Sequence, residues 1–83
     1  MAAFVLMIKM EDNEEKVVYQ FGPSEKHLGI IEFHKVNKVF HIRKSVNDGI
    51  LSNEAYERWA AEKIVKIMYR EEGKFPDITT VEK

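Results

Sequence analysis

The hydrophobic period of this chain changes once, near Asn47, and that change limits the fold more than any other feature. Upstream, four apolar runs alternate at roughly every second residue, the repeat of a strand with one buried face. Downstream, residues 53–72 form one long run with apolar residues three and four apart, the repeat of an amphipathic helix. A chain with this order buries both patterns by laying the helix on the sheet. The expected fold is α+β: a four-stranded antiparallel meander sheet, built as two β-hairpins, with one C-terminal α-helix packed on one face (ββββα).

The chain has 83 residues, enough for one domain. Residues 1–76 are expected to form it, with 77–83 a C-terminal tail that is either frayed or a short segment packed by Phe75. A composition of 45% hydrophobic and 33% charged residues belongs to a folded chain rather than a disordered one. Thirteen Lys and Arg against fourteen Asp and Glu leave a net charge of -1, which favours neither nucleic acid nor an acidic DNA mimic. The absence of cysteine excludes disulfides, thiolate catalysis and cysteine zinc sites, and fits a reducing compartment. The apolar run 2–8 is too short for a membrane span and lacks the marks of a signal peptide. A soluble, cytoplasmic protein without membrane partners is the expectation.

Within the strands, alternation suggests register. Val17, Tyr19 and Phe21 give the second strand one apolar face. The first strand is apolar on both sides, with Phe4, Leu6, Ile8 and Met10 alternating with Ala3, Val5, Met7 and Lys9. Pairing Met10 with Val17, Ile8 with Tyr19 and Leu6 with Phe21 collects the larger side chains on one face and sets Glu11 opposite Lys16, beside loop 12–15. Gly22, Pro23 and Ser24 end the second strand. In the second hairpin, Phe33 opposite Phe40 also sets Ile31 opposite Ile42, around loop 35–38. The other face then carries Glu32 beside His41, His34 beside Val39 and Ile30 beside Arg43.

Asn47, Asp48 and Gly49 read as a turn, and Ser52 or Asn53 as a helix cap. Glu54 and Glu57 suit the positive end of the helix. Tyr56, Trp59, Ala60, Ile64, Ile67 and Met68 form its apolar stripe, widened by Ala61 and Val65. Gly73 fits the left-handed position after the helix, and Pro76 prevents continuation.

Chemistry is harder to find. Ser24, Ser45 and Ser52 have no nucleophile-elbow context, and no glycine-rich loop precedes the helix, so no enzyme is expected. Glu32, His34 and His41 share a predicted face but lack a fourth ligand; a cross-strand pair is the simpler reading, and no metal or cofactor is expected. The strongest candidate is the sheet face that one helix cannot cover. It is expected to show Val5, Met7, Val18, Ile30 and Val39 among Lys9, Gln20, Glu32, His34, His41 and Arg43. An apolar patch with a polar rim suggests an interface. The expected function is a small non-catalytic protein-interaction module, an adaptor or an inhibitor or immunity-type protein. It would bind another protein, or itself as a homodimer, through Val5, Met7, Val18, Ile30, His34, Val39 and His41. The alternative is RNA or single-stranded-DNA binding by the basic second hairpin, through Lys35, Lys38, Arg43 and Lys44. Against it, Phe33 and Phe40 fall on the core face, where they cannot stack on bases. In general build the chain resembles many short bacterial or phage proteins, a likeness that transfers no functional residue.

Overall fold

Valine, isoleucine and aromatic residues fill the alternating runs, and each run becomes a strand. The computed structural model describes residues 4–46 and 53–82. In chain order these form β1 (Phe4–Asp12), β2 (Lys16–Gly22), β3 (Gly29–His34), β4 (Val39–Lys44), α1 (Asn53–Arg70) and β5 (Ile78–Glu82). All neighbouring strands are antiparallel, in the order β4-β3-β2-β1-β5. The expected α+β sheet-and-helix fold is present, with five strands instead of four.

The fifth strand lies on the segment expected to be a tail. Thr79 sits opposite Met7 and Val81 opposite Val5, so β5 adds a row to the helix side of the sheet. The turn before it is held by residues distant in sequence. Lys9 donates through Nζ to the Phe75 carbonyl at 3.0 Å and lies 3.0 Å from the Asp77 carboxylate. Its backbone N–H donates to the Asp77 carbonyl at 2.7 Å, and the Tyr19 hydroxyl donates to the Pro76 carbonyl at 2.6 Å. Burial, with the carboxylates of Asp12, Asp77 and Glu71 adding to it, holds the Tyr19 phenol well above its ordinary pKa. It therefore remains a donor throughout the physiological range.

Helix α1 packs across β1, β2, β3 and β5. The core between them holds Val5, Met7, Val17, Tyr19, Phe21, Ile31 and Phe33 from the sheet, and Tyr56, Ala60, Ile64 and Ile67 from the helix. Phe75 and Val46 close its ends. Trp59, Ala61 and Met68 pack at the margin, whereas Val65, expected to widen the stripe, is exposed. The helix ends at Arg70, and both Glu72 and Gly73 take positive φ, so the left-handed cap begins one residue before the expected glycine. The Gly73 N–H then donates to the Ile67 carbonyl, which also accepts from the Glu71 N–H, and this closes the end of the helix. The expected turn at 47–49 and the cap at Ser52 or Asn53 lie outside the described residues and side chains.

The second hairpin pairs Phe33 with Phe40, Ile31 with Ile42, Glu32 with His41 and His34 with Val39, as alternation predicts. One difference is a shift between Ile30 and Ile31, which brings Lys44 rather than Arg43 opposite Ile30. The first hairpin differs throughout. Met7, not Leu6, faces Phe21, and Lys9, not Ile8, faces Tyr19. Two local features set this register. Asn13 Oδ1 accepts hydrogen bonds from the Glu15 and Lys16 amides at 2.8 and 2.9 Å, closing a tight turn that places Asp12 opposite Val17. A bulge between Lys9 and Glu11 then shifts the rest of β1. Since side chains alternate, this one-residue difference exchanges the two faces of β1. Val5 and Met7, expected on the uncovered face, are fully buried beneath the helix. Lys9 also turns to the helix side.

Candidate functional site

The sheet face opposite α1 has no covering element among the described residues, and its register assigns each side chain. From β5 come Ile78, Thr80 and Glu82; from β1, Phe4, Leu6, Ile8 and the bulge pair Met10 and Glu11. From β2 come Lys16, Val18 and Gln20; from β3, Ile30, Glu32 and His34; from β4, Val39, His41, Arg43 and Lys44.

This face has two unlike halves. Along β1 and β5 it is apolar. Phe4, Met10 and Ile78 are 42%, 54% and 66% exposed, and Leu6 and Ile8 between them are half-buried. Ile8 lies directly opposite Ile78. None of these residues was among the expected interface residues. Their signal was present in the alternation of Phe4, Leu6, Ile8 and Met10, which the expected register had placed in the core.

Along β3 and β4 the face is organised around Glu32. This residue is 7% exposed, although it lies on the open side of the sheet. Long side chains fold over it. His34 Nε2 donates to one carboxylate oxygen at 2.5 Å; Arg43 bonds the other, and the Lys16 ammonium stands 3.6 Å away. Burial alone would push the Glu32 carboxyl up. The His34 hydrogen bond and the charges of Arg43 and Lys16 outweigh it and hold the carboxyl below its ordinary pKa. The His34 ring meets His41 edge-on, with centroids 5.0 Å apart. His41 lies opposite Glu32 in register, but the carboxylate takes its hydrogen bonds from His34 and Arg43.

The remaining expected interface residues distribute between these halves. Val18 is on the open face but 1% exposed. Lys16 reaches both Glu11 and Glu32, the two residues flanking Val18, so its alkyl stem shelters the valine. Ile30 and His34 are half-buried, and Val39 and His41 are exposed. The structure thus brings together Val18, Ile30, His34, Val39 and His41, and separates Val5 and Met7 from them.

The basic residues of the second hairpin do not form one free group. Lys35 is bound to the Asp12 carboxylate at 2.5 Å and the Asn13 carbonyl at 2.6 Å. Lys38 lies over the Tyr69 ring at 5.5 Å, and Arg43 is bound to Glu32. Among the described residues, no group of three or more His, Cys, Asp or Glu is arranged to hold a metal ion, and no helix is long and apolar enough to cross a membrane. No family model, curated protein or solved structure matches this chain.

Proposed function

We propose that this chain is a small non-catalytic, cytoplasmic interaction module, acting as an adaptor or as an inhibitor or immunity-type protein. It would dock another protein on the apolar half of its open sheet face. The observation that carries this reading is the stripe of Phe4, Leu6, Ile8, Met10 and Ile78, left in water beside a helix that packs on the other side. Covering such a stripe removes apolar area from water at about 25 cal/mol per Å2, and the neighbouring charged groups supply a polar rim. His34, Val39 and His41 belong to that rim rather than to its centre. The nucleic-acid alternative draws less support, because Lys35, Lys38 and Arg43 already have partners within the chain.

Affinity capture from the source lysate, with and without nuclease, tests this reading when wild type is compared with Leu6→Lys/Ile8→Lys. The expected result is a stoichiometric protein that survives nuclease and is lost with the double variant. Equal capture by a folded double variant would remove the apolar stripe from the interface. Capture abolished by nuclease would transfer the function to nucleic acid.

A further inference from the structure

The two edges of the sheet are built differently. β4 carries the devices that discourage pairing with another strand: an irregular register between Ile42 and Lys44, opposite Ile31 and Ile30 of β3, and the cations Arg43 and Lys44. β5 carries none of them. Its register with β1 is regular from Ile78 to Glu82, and its sequence, Ile-Thr-Thr-Val-Glu, contains neither proline nor a basic residue. Ile78, Thr79, Thr80 and Val81 are all β-branched, the residue class best suited to a ladder. Among the described residues its outer edge has no neighbour in the sheet order.

We propose that this edge pairs antiparallel with β5 of a second copy of the chain, about a two-fold axis at Thr80, joining two five-stranded sheets into one. A second copy is the occupant because the strand is complementary to itself. Centred on Thr80, the register sets Thr80 opposite Thr80, Thr79 opposite Val81 and Ile78 opposite Glu82. Thr79 and Val81 extend the helix-side row begun by Met7 and Val5. Two threonines at the axis form a favourable cross-strand pair. Glu82, the one charged residue of the strand, meets the isoleucine of the other copy and not its own counterpart. The axis stands normal to the sheet, so both helices lie on one side, and the two open faces meet across Ile78. Five residue pairs make a small contact of the transient class. This pairing uses the sheet edge and stands whether or not the open face binds a partner.

The chain has no cysteine, so a single introduced thiol reads the register directly. In the Thr80→Cys variant the two Cα atoms would be about 4.5–5.5 Å apart, within the reach of a disulfide. In Glu82→Cys the two thiol-bearing residues would be offset by roughly 13 Å along the strands. Under mild oxidation, Thr80→Cys is expected to form covalent dimer roughly tenfold faster or more than Glu82→Cys, through proximity alone. In sedimentation of concentrated protein, Thr80→Lys, which opposes two like charges, should remove the dimer, while Ile8→Lys on the open face should keep it. Equal crosslinking rates for the two cysteine variants would overturn the pairing. So would a wild type that stays monomeric up to ~1 mM. A dimer lost with Ile8→Lys but kept with Thr80→Lys would overturn it as well, and place the contact on the open face.

Discussion

The two halves of the open sheet face obey the same strand alternation, yet they stand in different relations to water. On the β3–β4 half the potentially costly group, a buried carboxylate, is satisfied from within: Glu32 has Arg43, His34 and Lys16 around it. Nothing further is gained by covering it, since an approaching partner would have to desolvate those cations. On the β1–β5 half Phe4, Met10 and Ile78 stay in water, and any partner that covers them gains by it. Charge on an open face therefore does not by itself mark a binding site. What marks one is surface whose free energy falls on contact.

Four tests break or sharpen this contrast. The largest effect belongs to the residue that fixes which side of β1 is open. Met7→Asp puts a carboxylate into the helix-side core and should cost more than about 4 kcal/mol, leaving no cooperative thermal transition. Ile8→Asp, one residue along, should melt as a folded domain. If the two variants behave in the reverse way, the apolar half has been assigned to the wrong side.

Glu32→Ala comes next. It removes the centre of the charged half and should destabilise by about 2 kcal/mol in urea unfolding, less than a fully enclosed charge network would show because Arg43 and His34 regain water. Acid provides the third test. The Glu32 carboxyl is lower in the folded chain than in the unfolded one, so the unfolded chain binds its proton first as pH falls. The stability from Glu32 is fully present above its ordinary pKa and is lost as pH falls through its lowered folded value. The stability gap between wild type and Glu32→Gln should accordingly close below about pH 4, in parallel urea titrations. A gap that stays constant to lower pH would show that the carboxylate charge is not what holds the cluster.

The smallest effect on stability is expected for Ile8→Lys, below about 1 kcal/mol, because a half-buried residue on an open face can extend its new charge into water. Its value lies in the contrast with Glu32→Ala: the lysine should abolish partner capture with little loss of stability, and the alanine should do the reverse.

Much of the fold was legible in the period of the sequence. The helix, the second hairpin and its pairing of Phe33 with Phe40 follow from alternation, because only one face of β3 and β4 combines aromatic and aliphatic residues. The first hairpin was ambiguous because β1 is apolar on both sides. Size favoured Leu6 and Ile8 for the core, yet the Asn13 turn and the bulge beside Met10 decided for Val5 and Met7. The Asn13 signal was readable, as asparagine between acidic residues commonly closes a turn. The bulge had no local mark. β5 was hidden because its five residues, short and half polar, form a strand only where β1 offers an edge and Lys9 and Tyr19 hold the preceding turn.

The sequence by itself determined the first four strands and the helix, since period, β-branched content and turn residues act over a few neighbouring positions. It also determined that thiol chemistry is impossible for a chain without cysteine. Tertiary structure alone decided which side of β1 meets the helix, that residues 78–82 complete the sheet, and that Glu32 is buried on an open face. Each of those outcomes depends on contacts between residues far apart in the chain, whose free energies no local pattern contains. The candidate site belongs to this second group: the apolar stripe of Phe4, Leu6, Ile8, Met10 and Ile78 exists only because a one-residue choice of register turned it outward.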